Sequence, residues 1–444
     1  MTEWSRDKLL AVAALFVILG FGAGYLARQG EVVRLQEEAS RLREEAGHPE
    51  APSYRIGVAY PFSGRLSWWS ADAVPLLESA EKDLEAFLAE SGSKTRFSFL
   101  VADTNSTGEG ALSAVKKLVG EGAQVIVGLP TSGEVEAAMA YLAQAQVPLI
   151  SPSSTSSSLS KPDMVFRLST PENYRARVGA ELAIKLGYTS VFVVHRDDDW
   201  GRAYADTISG VFGERGLRSF KVPFPVSHPG YMNYSSMVGE LERAVAPRSD
   251  VVLVYLVAWE NEDYSILNEA RKSMVLSNVG WFTAAMYPTI TGEYTVDGRI
   301  SGLRDYALKI GLLAPEQRPV VNDLTRRLME EAKARLGRYP SYEHVYLYNA
   351  VMVAARALML ANSGDPGLLA NAVPIVASEY YGATGCKALD VNGDLAYEDT
   401  AFIGVVEDGG SYSLGYYVYH NGARDEFVIL EAPEERAWLF SPQA

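Results

Sequence analysis

From Tyr54 onward, short runs of almost unbroken apolar residues alternate with longer stretches whose apolar positions recur every three or four residues. Runs of the first kind read as strands buried on both faces, and stretches of the second kind as amphipathic helices. YRIGVAY, FSFLVAD, AQVIVGL and PLIS are the first strands expected, with helices over 74–90, 109–119 and 133–145 between them. The alternation then restarts. Helix 173–186 precedes TSVFVVH, helix 201–214 a strand near 218–223, helix 234–245 DVVLVYL, and helix 262–273 VGWFTA. Two more amphipathic helices follow over 319–336 and 343–361, and the C-terminal SYSLGYYVYH and EFVILEA read as β. Strands separated by helices predict parallel sheets covered on both faces, and this many strands divide better between two sheets than one. The expected fold is therefore α/β, with two doubly wound parallel-sheet lobes.

Ahead of this body, nineteen uncharged residues lie between Lys8 and Arg28. As a helix they would span roughly 28 Å, close to the hydrocarbon thickness of a bilayer. Residues 1–28 thus read as an uncleaved membrane anchor. The alternative is a signal peptide cut after Gly24, although a good A-x-A site is missing. Residues 29–53 read as a helical stalk, with Val32, Leu35, Ala39, Leu42 and Ala46 at heptad spacing and Gly47, Pro49 and Pro52 ending it.

Composition narrows the function. A net charge of −15 over 444 residues argues against a nucleic-acid partner, which would need a basic face. Cys386 is the single cysteine, so neither an intrachain disulfide nor a cysteine metal cluster is possible. Nucleotide-cradling, nucleophile-elbow and zinc-protease motifs are absent, and the five histidines show no metal-ligand spacing. No cofactor, metal or catalytic residue is expected. Asp197, Asp198 and Asp199 read as a solvated loop rather than a cation site. DVNGDLAY reads as an Asn-Gly turn, because Gly393 stands too early for a calcium loop.

What carries chemistry is a set of polar loops at strand ends, where ligands of open parallel sheets bind. PFSGRLSWWS follows YRIGVAY, PTSGEV follows AQVIVGL, and PSSTSSS follows PLIS. Each offers hydroxyls, backbone N–H groups and a following helix N-terminus, the means of holding an anionic group. Helix capping by Ser or Thr is the competing role for each loop.

Together these features resemble the branched-chain amino-acid (Leu/Ile/Val) type of ABC-transporter solute-binding protein, over roughly residues 54–410. IGVAYPFSG, VIVGLPTSGEV, VPLISPSSTSSSL, the FRLSTPENYRARVGAELAIKLGYTSVFVVHRDDDWGRAYADTI stretch, DVVLVYLVAWENEDYSILNEAR and DVNGDLAY carry the resemblance. It implies a type I periplasmic-binding fold, its lobes joined by crossover strands, with a ligand in the cleft between them. It also implies an extracytoplasmic location, so the anchor would hold the chain to the membrane from outside. Lobe 1 is expected over 54–170 with 305–385, and lobe 2 over 171–304 with 386–444.

Carried over by position, Ser132 matches the family's carboxylate-binding serine, and Ser153 with Thr155 the pair contacting carboxylate and ammonium. Trp69, Trp200 and Trp259 match aromatic positions around the ligand. The acid that neutralises an amino-acid ligand's ammonium is not evident: the stretch reads GWFTAAMYP, with Met286 or a neighbour in its place. Either Asp199 or Glu260 substitutes, or the ligand is not an α-amino acid. A cleft rich in Trp68, Trp69, Trp200 and Trp259 suits a flat, apolar or cationic ligand. The expected partners are a small-molecule ligand, an ABC permease and the membrane. The alternative is a ligand-sensing or regulatory module of the same fold, such as a receptor ectodomain or cell-wall-synthase activator.

Overall fold

The computed structural model describes residues 51–226, 234–284, 295–296, 299–300, 303–317, 321–340, 344–396, 400–405, 411–420 and 423–429. The expected anchor, the stalk up to residue 50, and Met286 lie outside these residues, while Ser53, expected to end the stalk, already begins the first strand. Among the described residues no helix is long and apolar enough to cross a membrane.

The first lobe is built on a parallel sheet of order β2-β1-β3-β4-β5, formed by β1 (Ser53–Tyr60), β2 (Arg96–Asp103), β3 (Val125–Gly128), β4 (Leu149–Ser151) and β5 (Val165–Arg167). Strand period decides which face each side chain covers. Ile56, Val58 and Tyr60 of β1 pack into one core beneath α1 (Ser67–Glu90), while Ala59 packs into the other, beneath α2 (Gly108–Gly120) and α3 (Ser132–Ala145).

The second lobe begins with α4 (Glu172–Lys185), β6 (Ser190–Arg196), α5 (Asp199–Glu214), β7 (Arg218–Phe224), α6 (Ser235–Val245), β8 (Val252–Val257), α7 (Glu260–Ala270) and β9 (Gly280–Thr283). A short ribbon, β10 (Thr295–Val296) with β11 (Arg299–Ile300), precedes α8 (Arg304–Lys309) and β12 (Leu313–Gln317). Leu253, Tyr255 and Val257 of β8 face the α4–α5 side, and Val252, Val254 and Leu256 the α6–α8 side. The near-continuous apolar runs are thus strands buried on both faces, as doubly wound sheets require.

Two details depart from the expectation. The second sheet has order β15-β14-β13-β12-β9-β8-β6-β7, and its outer strands β13 (Thr400–Val405), β14 (Ser411–His420) and β15 (Ala423–Ile429) are antiparallel, so this sheet is mixed rather than wholly parallel. Residues 305–317 also belong here instead of to lobe 1. Leu313 pairs with Phe282 and with Gly404, and Tyr306, Ala307 and Ile310 join the second lobe's core. The chain returns to the first lobe after Gln317, where α9 (Asp323–Leu336), α10 (Val345–Ala361) and α11 (Pro366–Glu379) pack on its sheet.

The chain therefore passes between lobes after β5, after β12 and after α11. The first and third passages are clamped together. Arg167 donates to Gly393 O at 2.9 Å and accepts from Leu395 N at 3.1 Å through its backbone. Its side chain grips Asp394 bidentately, Nε to Oδ1 at 2.5 Å and Nη2 to Oδ2 at 2.6 Å, with both side chains buried. The remaining donors reach Ser156 O at 2.7 Å and Ser160 Oγ at 2.9 Å, so the guanidinium also fixes the serine-rich loop. DVNGDLAY does form its expected turn, with Gly393 at φ +77° and Asn392 N donating to Asp390. That turn delivers Asp394 to Arg167.

Removing one partner of such a pair strands a buried charge, at a cost of about 3–5 kcal/mol. Asp394→Asn is expected to lower stability in urea denaturation by ~3 kcal/mol. An unchanged midpoint would show that the pair contributes nothing net.

Candidate functional site

Between the lobes lies a cleft of about 290 Å³ whose wall includes Trp69, Ser132, Ser153, Thr155, Trp200 and Trp259. The structure thus places all the sequence-derived candidates on one surface, with both lobes contributing. A cavity of this size suits a small molecule.

The first-lobe wall is set by backbone geometry. Gly128 at φ +124° brings its Cα so close to Ala59 O that a Cβ would lie 2.0 Å from it, and Leu129 is left-handed at φ +49°. This turn aims Pro130 and Thr131 into the cleft mouth. Thr131 caps α3 in a reciprocal box with Glu134, its hydroxyl accepting from Glu134 N at 3.3 Å. Ser132 is therefore not the cap. Its oxygen accepts from Thr155 N at 3.3 Å and Ser156 N at 3.0 Å, tying two loops together. With both acceptor positions used, the Ser132 hydrogen remains for a ligand acceptor.

Ser153 and Thr155 differ. Ser153 Oγ donates to Pro130 O at 3.0 Å, so its hydroxyl can only accept from a ligand. Thr155 sits beside Glu172, a fully buried carboxyl pushed up to about 8 by burial, against the pull of the Thr155 hydroxyl and of Arg175 and Arg167. Thr155 is itself buried, and its carbonyl accepts from Glu172 N at 2.8 Å.

Aromatic groups line the rest. Trp68 and Trp69 stack at 6.2 Å, and Trp69 meets His344 edge-on at 5.7 Å. Burial holds His344 down at about 3, so this ring is a neutral backing. From the second lobe, Trp200 and Trp259 approach at 6.4 Å.

The charges of the cleft were not legible in the sequence. Arg65, Arg175 and Arg196 line it. Arg196 is buried and doubly paired, through Nη1 to both Glu262 oxygens at 2.8 Å and through Nη2 to Asp198 at 2.7 Å. Asp198 also caps α5, accepting from Gly201 N at 2.9 Å, while Asp197 and Asp199 take Arg202 at 2.9 and 2.6 Å. The acidic triplet is thus a partly exposed loop, as expected, whose carboxylates pair with arginines. Arg65 and Arg196 both lie on the Trp259 ring, 4.9 and 4.1 Å from its centroid. With those cations in place, a cationic ligand no longer suits this ring, contrary to the expectation from aromatic content alone.

Among the described residues, each acid on this wall is already engaged by another group. Glu134 is buried, its carboxyl raised by burial and occupied by Thr104 and Thr131. Asp198 and Asp199 are spent as described. Asp199 therefore does not substitute for the missing acid, and the Glu260 side chain lies outside the described residues.

The comparisons with known proteins agree with this architecture. A family model described as "Periplasmic binding protein" matches residues 53–385. An uncharacterized protein of Methanocaldococcus jannaschii is 22% identical over 379 residues, covering 80% of this chain and 87% of that protein. A leucine-binding protein from Thermotoga maritima shares the fold at a TM-score of 0.65 and 19% identity, covering 82% of this chain and 98% of that one. A solute-binding protein of an ABC transporter from Rhodopseudomonas palustris, solved with 3,4-dihydroxybenzoic acid, does so at 0.64 and 13% identity, covering 85% and 98%.

Across the cleft, Glu136 of α3 hydrogen-bonds Asp199 of α5, and that contact is the first cause pushing Glu136 up to about 7. Asp199, also held by Arg202, stays below the usual range, while Lys161 and Arg202 partly offset the rise at Glu136. A raised carboxyl favours the joined lobes while it keeps its proton, and loses that effect as pH climbs through about 7. Small-angle scattering of the unliganded protein is expected to show a larger radius of gyration at about pH 8 than at about pH 5, with Glu136→Gln flattening the difference. A wild-type radius independent of pH would show that this contact does not act on closure.

Proposed function

The chain belongs to the periplasmic binding protein family, and from that premise we propose that it is the extracytoplasmic solute-binding protein of an ABC importer. It encloses a small solute between its lobes and presents it to the permease without changing it chemically. The observation that carries this reading is the cleft itself. Ser132, Ser153, Thr155 and Trp69 from one lobe and Trp200 and Trp259 from the other face the same 290 Å³. Ser132 supplies an O–H next to the first turn of α3, where backbone N–H groups and the helix dipole favour negative charge. The aromatic rings supply apolar area. The neighbours in fold bind leucine or an aromatic acid, and both carry a carboxylate beside an apolar body. A solute of that general shape is the one proposed.

We propose further that residues 9–27 tether the protein to the outer face of the membrane. The support is their uncharged length in the sequence.

A thermal-shift screen of amino acids, carboxylic acids and amides is expected to give a stabilising solute, since ligand at about 100 times Kd adds ~2.7 kcal/mol. Ser132→Ala should weaken that solute's binding about tenfold to hundredfold, and should also lower the stability of the empty protein, because Thr155 N and Ser156 N lose their acceptor. A broad screen without any response would move the reading to a regulatory module.

N-terminal sequencing of protein from native membranes is expected to find residues 9–27 still attached. A mature start between Tyr25 and Arg28 would make them a signal peptide.

A further inference from the structure

Among the described residues of the cleft, Arg175 acts on the buried Glu172, and the other charges divide into those the fold consumes and one that it holds more loosely. Arg196 is consumed by Asp198 and Glu262. Glu262 is consumed in turn, its Oε2 also accepting from Trp259 N at 3.0 Å. Arg65 is different. It stands on the loop after β1 with its side chain 26% exposed, and the carboxylate nearest it among the described residues is Glu262, at 4.0 Å. That distance is too long for a hydrogen bond, and Glu262 is already shared. Arg65 also faces the like charge of Arg196 across the lobe junction, and burial together with that repulsion pulls its pKa down against the opposing pull of Glu262, Asp198 and Glu134. A guanidinium keeps its charge under any ordinary condition, so its under-compensation is relieved by a counter-anion rather than by deprotonation. Its contact with the Trp259 ring fixes it at the cleft wall, one lobe's cation on the other lobe's aromatic.

We propose that Arg65 selects the charge of the solute, which is a carboxylic acid with an apolar or aromatic body and no α-ammonium group. This rests on the solute-binding reading and narrows it. Two independent observations converge. Among the described residues lining the cleft, each acid already serves an arginine, a helix cap or a threonine, so an ammonium would have to compete for its counter-charge. On the same wall Arg65 has a positive charge whose nearest carboxylate is beyond hydrogen-bond reach, at the outer limit of an ion pair. An α-amino acid is a zwitterion, and would satisfy Arg65 only by placing its ammonium among acids that already serve other groups. An acid lacking the amine needs only the anion site. Because Arg65 belongs to the first lobe and Trp259 and Arg196 to the second, the anion also screens the repulsion between guanidiniums that closure brings together.

The test compares solutes differing in one charge, by titration calorimetry on the full chain. Phenylalanine, 3-phenylpropanoate and 3-phenylpropanamide share a ring and spacer, leucine, 4-methylpentanoate and its amide share a branched body, and benzoate with benzamide gives a shorter pair. At least one acid is expected to bind ten times or more tightly than its amino-acid and amide counterparts. Arg65→Gln should remove most of the acid-over-amide preference, and Arg65→Lys should keep part of it. Equal or tighter binding of the amino acid would overturn the inference while leaving the solute-binding reading intact. An acid affinity unchanged in Arg65→Gln, with the variant's melting temperature preserved, would overturn it too, as would a stabilising solute of another class with no acid bound. No binding by these solutes or by any in the wider screen would remove the underlying reading and this inference together.

Discussion

The buried pair between Arg167 and Asp394 is the constraint on which the site depends. A guanidinium removed from water is tolerable only if its donors are satisfied. Here Asp394, Ser156 O and Ser160 Oγ take Nε, Nη1 and Nη2. Meeting that demand has structural consequences. It pins the loop that carries Thr155, it fixes where the chain leaves the first lobe, and it holds the returning passage at Gly393–Leu395 alongside. The serine loop then has one geometry in which Thr155 N and Ser156 N reach Ser132. An anion cradle made of hydroxyls and N–H groups is otherwise floppy. Here the loop is ordered by its own bonds, and under the proposed function that would lower the entropy lost on binding.

A similar economy of charge operates in the second lobe. Arg196 ends β6 and could have served as an anion receptor, yet Asp198 and Glu262 close around it and convert it into a support for Trp259. Breaking a support of this kind would leave a buried charge unpaired, which makes it costly to disturb. The ring is thereby presented edge or face by position rather than by chance packing. What remains adjustable is the approach of the lobes, through Arg65 on Trp259 and through Glu136 with Asp199.

Much of this was legible in the sequence, and the rest failed for identifiable reasons. The apolar runs located the parallel strands because double burial leaves a run no polar face to show. The strand-end loops and their hydroxyl residues were found because ligand sites in such sheets follow from topology. The strand Leu313–Gln317 was missed. It contains Pro315, which reads against a strand, and its pairing with Phe282 and Gly404 comes from distant segments. The arginine network was hidden for the same reason, with Arg196 and Glu262 sixty-six residues apart and Arg167 and Asp394 two hundred and twenty-seven. One distinction was available but not drawn. Thr131-x-x-Glu134 is a capping-box spacing, which assigns the cap to Thr131 and releases Ser132 for another role.

The division of labour between lobes follows from where satisfaction is complete. In the first lobe the cradle's internal bonds are finished without a solute, and the Ser132 hydrogen is what they leave over. In the second lobe Trp259 is backed by Arg196, and Trp200 packs against Tyr204 and Trp259. Neither lobe needs the other to hold its half of the wall. The free-energy difference between open and closed forms is therefore concentrated in the few groups that meet across the gap. A ligand shifts that equilibrium only by binding the closed form better than the open one. A solute touching one lobe alone would bind without closing the protein. Under the proposed function, an anion reaching both the cradle and Arg65, with a flat body against Trp200, would differ in energy between the two forms, and a permease reading lobe position would sense that difference.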